Sequence, residues 1–137
     1  MKYKFLPDIA TADIAFEAEA ETLEELFTAC ALALEDSMVD LKGVEEKETK
    51  IIELESKDIE RLLFDWLGEL IFLKDSEDLL FSKFNITIKE DKLKAECIGE
   101  KINKHKHELK NDVKAVTLHR FKVEESKHGW KASVILD

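Results

Sequence analysis

Residues 9–21 read Ile-Ala-Thr-Ala-Asp-Ile-Ala-Phe-Glu-Ala-Glu-Ala-Glu. From Ile14 the run alternates as a half-buried strand does, with Ile14, Phe16, Ala18 and Ala20 on one face. Asp13 opens the opposite, polar row, ahead of Ala15, Glu17 and Glu19. A carboxylate placed where a loop turns into a strand has a rigid footing and an open side toward a ligand. Most such aspartates only solvate a strand end. The far end of the chain supplies a second one, because the sequence closes on Val-Ile-Leu-Asp, a strand running out at Asp137.

Upstream of this stretch, residues 2–6 read as a short strand closed by Pro7, the only proline, and 8–12 as a connecting loop. Downstream, Thr22-Leu23-Glu24-Glu25 is a capping box. It starts a helix whose apolar stripe is Leu23, Leu26, Phe27, Cys30, Ala31, Leu34 and Met38. Residues 40–48, with Gly43, form a charged linker before a strand at 49–54. Asp58 caps a second helix running from Ile59 to about Leu73. Its Leu62, Leu63, Phe64, Trp66, Leu67, Leu70, Ile71 and Phe72 cover more than one stripe, which predicts the more buried helix and the centre of the fold. Asp65 reads as part of that helix's polar strip, with Arg61 and Glu69, rather than as a ligand.

Beyond 74–78 the pattern is all strand. Phe84, Ile86 and Ile88 alternate, residues 90–92 turn, and Leu93, Ala95 and Cys97 alternate back as a hairpin. Residues 99–111 are polar and carry His105-Lys-His107, a pair that binds a transition metal only if both rings point the same way and a third ligand arrives. A long alternating run from Val113 to Val123 then turns at 126–129 and returns through 130–137. If Lys127-His128 is a two-residue loop, Ser126 faces Gly129 and an uninterrupted count puts Asp137 opposite Leu118. Lys114 then shares a face with Asp137 four residues along, roughly 13 Å of strand at about 3.3 Å per residue. A longer loop or a twist would narrow that gap, and a one-residue slip would turn Lys114 to the other face.

The chain has 137 residues, 45% hydrophobic and 38% charged, enough for one globular domain with a sizeable core. Its net charge of −10 argues against an extended grip on nucleic acid, which needs a basic surface. No apolar run is long enough to span a membrane, Met1-Lys2-Tyr3 opens no signal peptide, and Cys30 and Cys97 lie far apart without a CxxC. The expectation is a cytoplasmic protein with two reduced, buried thiols. The fold class expected is α+β, an antiparallel-rich system of about seven strands packed with two helices.

Thr11-Ala12-Asp13, Thr22-Leu23-Glu24-Glu25-Leu26-Phe27, Leu32-Ala33-Leu34, Leu62-Leu63-Phe64-Asp65-Trp66-Leu67, His107-Glu108-Leu109 and Lys114-Ala115-Val116-Thr117-Leu118-His119 together resemble the archease family. The resemblance runs in order over essentially the whole chain. It implies a small α+β protein that is not itself an enzyme but assists the RtcB-type RNA ligase in tRNA splicing and RNA repair. That ligase joins a 3′-phosphate or 2′,3′-cyclic phosphate to a 5′-hydroxyl through a guanylylated histidine. Archeases promote guanylylation and multiple turnover.

Residue by residue, the resemblance carries a metal-binding aspartate onto Asp13, a second onto Asp137, and a ligase-activating lysine onto Lys114. Two carboxylates suit a hard divalent cation, Ca²⁺ first, with Mg²⁺ or Mn²⁺ as alternatives. Two departures stand out. Ala10 occupies a position where many members have histidine, and the chain stops at Asp137, where members continue and use the next carbonyl as a ligand. Either the terminal carboxylate substitutes or the site is weaker. RNA is expected to be met only through the ligase, and no membrane is expected as a partner. The competing readings are a metal-dependent phosphohydrolase using Asp13 and Asp137, and a general chaperone or modulator of nucleic-acid-processing enzymes. The first lacks a phosphate loop, a nucleophile elbow and a clear third ligand.

Overall fold

Each stretch of two-residue periodicity becomes a strand, and each capped apolar stripe becomes a helix. β1 (Lys2–Phe5) and β2 (Ile14–Ala20) lead into α1 (Leu23–Met38), a 3-10 turn at Leu41–Gly43 and β3 (Glu48–Glu55). Then come α2 (Ile59–Glu77), β4 (Leu79–Lys89), β5 (Lys92–Lys101), β6 (Val116–Ser126) and β7 (Gly129–Leu136). The computed structural model describes residues 1–7 and 13–137. The connecting-loop assignment at 8–12, with Ala10, Thr11 and Ala12, lies outside the described residues.

The strands form two antiparallel sheets, β1-β2-β7-β6 and β3-β5-β4. Among the described residues two helices and seven strands are found, the expected α+β architecture. Both predicted caps are in place. The Thr22 hydroxyl accepts the Glu25 N–H at 3.2 Å, and the Glu25 carboxylate takes the hydroxyl proton rather than the cap amide. One carboxylate oxygen of Asp58 accepts the N–H groups of Glu60 and Arg61 at 3.0 and 3.4 Å.

The expectation that the second helix is the centre is overturned. α1 buries ten of its sixteen residues, against eight of nineteen for α2. α1 packs on β1, β2 and β7 of one sheet and on β4 of the other, so it is covered from both sides. α2 lies against β3, β4 and β6 and leaves Phe72 57% exposed. The reason lies in the small residues Ala29, Cys30, Ala31 and Ala33, all fully buried, which let strands approach α1 closely. Counting large apolar side chains undervalues such positions. Cys30 and Cys97 are both free thiols in this core, and burial pushes the Cys97 thiol up to about 12.

α2 also continues past Leu73 through Lys74, Asp75, Ser76 and Glu77, stopping where Asp78 enters the left-handed region at φ 56°. β4 begins at Leu79, directly after 74–78 as the all-strand pattern there predicts, and β5 extends past Cys97 to Lys101. At the final hairpin Ser126 does face Gly129 across Lys127-His128. Glycine is required there: its φ is 132°, and a Cβ would strike the Ala20 carbonyl of the neighbouring strand. Among the described residues no helix is long and apolar enough to cross a membrane.

Candidate functional site

Strand register assembles the site. β2 and β7 pair as far as Ile14 opposite Leu136, so Asp13 and Asp137 each flank the last pair of that ladder. On the other side of Asp137 lies Ala115: the Asp137 N–H donates to the Ala115 carbonyl at 2.9 Å, and the Asp137 main-chain oxygen accepts the Ala115 N–H at 3.2 Å. The same oxygen accepts the Lys114 N–H at 2.7 Å.

The uninterrupted count, Asp137 against Leu118, is therefore wrong. The register holds from Ser126 opposite Gly129 to Lys122 opposite Ser133, then jumps to Thr117 opposite Ile135. Leu118, His119, Arg120 and Phe121 bulge out of the ladder, with Arg120 at φ 56° and Leu118 73% exposed. Phe121 anchors the bulge by an edge-to-face contact with Phe64 of α2, ring centroids 5.8 Å apart. This shift replaces the four-residue gap between Lys114 and Asp137 by a direct backbone hydrogen bond. Because the shift is by an odd number, Lys114 no longer takes its face from the uninterrupted pleat. Asp13, Lys114 and Asp137 are all exposed.

Residues 108–115 have no long ladder of their own, yet they are held on both sides. The C-terminal turn of α1 has no basic residue to meet its free carbonyls. Instead the Lys110 N–H donates to the Met38 carbonyl at 2.8 Å, and both the backbone and side-chain amides of Asn111 donate to the Ser37 carbonyl at 3.1 and 2.9 Å. From the opposite side, Lys74 of α2 donates to the Val113 carbonyl at 2.6 Å and to the Asp112 carboxylate at 2.8 Å. The Lys74 ammonium, by hydrogen bond and charge, holds the Asp112 carboxyl below its ordinary range, and Lys114 adds to the effect. Lys74 was missed in the sequence because Lys-Asp-Ser-Glu reads as solvated. Its signal was spacing: Leu63, Leu67, Leu70 and Lys74 continue one stripe, and a lysine on a buried stripe needs partners.

Glu35 of α1 lies near Lys74 within the core. It is fully buried; one carboxylate oxygen accepts the Phe81 N–H at 3.2 Å and the other has no partner among the described residues. Burial pushes its carboxyl up to about 8, against the opposing pull of the Phe81 N–H and the Lys74 ammonium. Those two groups and the Cys97 thiol are the polar or titratable groups that bear on it. The folded protein thus keeps a proton that the unfolded chain releases. Stability is full below the ordinary value of 4.5, falls as pH rises toward about 8, and then levels off. Glu35→Gln mimics the protonated acid, so it should flatten that slope. A gain on the order of 2–4 kcal/mol over wild type at pH 8 is expected, read from urea midpoints across pH 5–9. Parallel wild-type and variant curves would refute it.

The other candidates resolve as structural. His107 is buried; its Nδ1 accepts the Asn103 N–H at 2.9 Å, so Nε2 carries the proton and donates to Glu100 at 3.0 Å. Burial raises the Glu100 carboxyl, but the Glu45 N–H, Lys106 and His107 outweigh it and hold it down at about 2. His105 is exposed, so the two rings do not converge. Asp65 pairs with Arg61 at 3.0 Å along the helix. Among the described residues no three His, Cys, Asp or Glu side chains form a ready metal cluster. Asp13 also lines an open groove of about 370 Å³ with Phe5, Pro7, Asp36 and Lys110, which Lys114 and Asp137 do not line.

Residues 3–137 match the Archease protein family. Protein archease of Thermococcus kodakarensis is 44% identical over 132 residues, covering 93% of each chain. The Pyrococcus abyssi protein archease is 42% identical over the same length and coverage. The solution structure of Methanobacterium thermoautotrophicum protein 1598 superposes with a TM-score of 0.85 at 41% identity, covering 98% of this chain and 97% of that one. A crystal structure from Thermotoga maritima, described as an archease and possible chaperone, gives a TM-score of 0.68 at 25% identity, with 96% and 95% covered. With the family pattern matched from Tyr3 to Asp137 and the same fold in two solved relatives, this chain belongs to the archease family.

Proposed function

We propose that this protein is a non-enzymatic activator of an RtcB-type RNA ligase, promoting guanylylation of the ligase histidine and repeated turnover in tRNA splicing and RNA repair. The observation that carries the reading is that the β2–β7 ladder ends beside Asp13 and Asp137, while the register shift in β6 joins the Lys114 backbone to Asp137 at the same end of the four-stranded sheet. Asp13 and Asp137 would hold a hard divalent cation, with Ca²⁺ the first candidate and Mg²⁺ or Mn²⁺ the alternatives, because their donors are carboxylate oxygens open to solvent. Such a cation would supply local positive charge and offset the repulsion between the two carboxylates. Lys114 would present its ammonium beside them, toward the nucleotide centre of the ligase.

The test is multiple-turnover ligation at limiting ligase, with and without the protein. Stimulation of turnover is expected; an unchanged rate would overturn the reading. The description of the Thermotoga relative as a possible chaperone favours the chaperone side of a second reading, a general chaperone or modulator of nucleic-acid-processing enzymes. Equal stimulation of unrelated RNA enzymes would favour that alternative. Direct RNA binding should be weak, since the net charge of −10 repels phosphate. In filter binding at physiological salt, a dissociation constant weaker than about 10⁻⁴ M is expected. Tight binding without the ligase would count against an activator that meets RNA only through its partner.

A further inference from the structure

We propose that Lys74 is the positioning residue for Lys114, an inference that rests on the activator reading just given. Lys74 reaches out of the last turn of α2 with only 8% of its side chain exposed. Such burial of an ammonium is costly unless its donors are met. Its bonds to the Val113 carbonyl and the Asp112 carboxylate, with Asp75 a further 3.3 Å ion pair, meet them. Both main partners are the two residues immediately before Lys114.

The consequence is geometric. Val113 is buried and held by its carbonyl from the α2 side, while the next amide, that of Lys114, is held by Asp137 from the sheet side. The two bonds, 2.6 and 2.7 Å long, fix the peptide joining Val113 to Lys114 at both its carbonyl and its N–H. A peptide plane held at both ends sets the direction in which the Lys114 Cα projects its side chain. Lys114 itself lies outside β6, so the ladder does not set that direction. Lys74 also brings positive charge near Asp112, leaving that carboxylate less able to draw the Lys114 ammonium away from the sheet end. Lys74 has no hydrogen bond or ion pair to Asp13 or Asp137 and acts through the segment 112–114.

Hydrogen exchange reads this without any ligase. In Lys74→Met the amides of Lys114 and Ala115 should exchange about tenfold faster, while those around Trp66 and β5 keep their protection. In Asp112→Ala, which alters a solvent-exposed partner and leaves the Val113 bond in place, the same two amides should exchange only a few times faster. Lys74→Arg, which keeps a cationic donor, should restore most of the protection. In the ligation assay Lys74→Met should lower the maximum stimulation without shifting the activator concentration that gives half of it. A loss of folded protein would instead scale with the melting curve. Unchanged exchange at Lys114 and Ala115 in Lys74→Met would overturn the inference. So would equal loss of protection throughout the molecule or, should Lys74→Met not fold, an Asp112→Ala variant that leaves both amides unaffected. If Lys114→Ala stimulates as wild type does, the activator reading fails, while the exchange experiment still decides the positioning role.

Discussion

Alanine at Asp13, at Lys114 or at Asp137 is expected to drop ligase turnover to that of the ligase alone, with the fold intact. All three side chains are exposed, and the hydrogen bonds that seat Lys114 and Asp137 use backbone atoms that alanine retains. Melting temperatures should therefore stay within about 2 °C of wild type. The two aspartates and the lysine should differ in a second measurement. Added Ca²⁺ should raise the melting temperature of wild type and of Lys114→Ala, because a ligand that binds only the folded state stabilises it by mass action. Asp13→Ala and Asp137→Ala should lose that response. Full stimulation by all three variants, or loss of activity that tracks unfolding, would refute the site. Loss of stimulation with an undiminished calcium response in the aspartate variants would refute the metal role alone.

Trp66→Ala is expected to cost about 3–5 kcal/mol, measured as a fall in urea midpoint at constant slope. Trp66 is fully buried, its indole N–H donates to the Phe27 carbonyl of α1 at 3.1 Å, and its ring meets Phe84 of β4 edge-to-face at 5.8 Å. One side chain thus ties α2 to the central helix and to the three-stranded sheet. Its truncation removes apolar area, opens a cavity and deprives the Phe27 carbonyl of a partner at once. Since a domain of this size has about 5–15 kcal/mol of stability in total, the variant should be marginal at physiological temperature. A shift below about 1 kcal/mol would show that the site collapses freely and that the two helices are not coupled through this residue.

Local chemistry in the sequence determined the elements themselves. Thr22 and Asp58 mark helix starts because a short oxygen-bearing side chain meets amides that the helix leaves free. The alternation of Ile14, Phe16, Ala18 and Ala20 marks a strand with one face in the core, and three of these four residues are buried. Cap and period act within a few residues of chain, so they can be read from it. The same holds for the two-residue loop at Lys127-His128, and for Asp13 and Asp137 as strand-end carboxylates.

Tertiary structure alone decided which helix is central, where α2 stops, and how close Lys114 comes to Asp137. Ala29 and Ala33 lie outside the apolar stripe and have too little side chain to advertise burial, yet that smallness helps admit strands on both sides of α1. Lys74 looks like solvent-facing charge until Val113 and Asp112, about forty residues later, supply its hydrogen bonds. The bulge at Leu118–Phe121 is invisible to a periodic count because every residue in it could continue the alternation. It forms because Phe121 packs on Phe64, and because the Lys114 and Ala115 amides bond to Asp137. Those contacts join distant parts of the chain, and a site built on them exists only once the chain has folded.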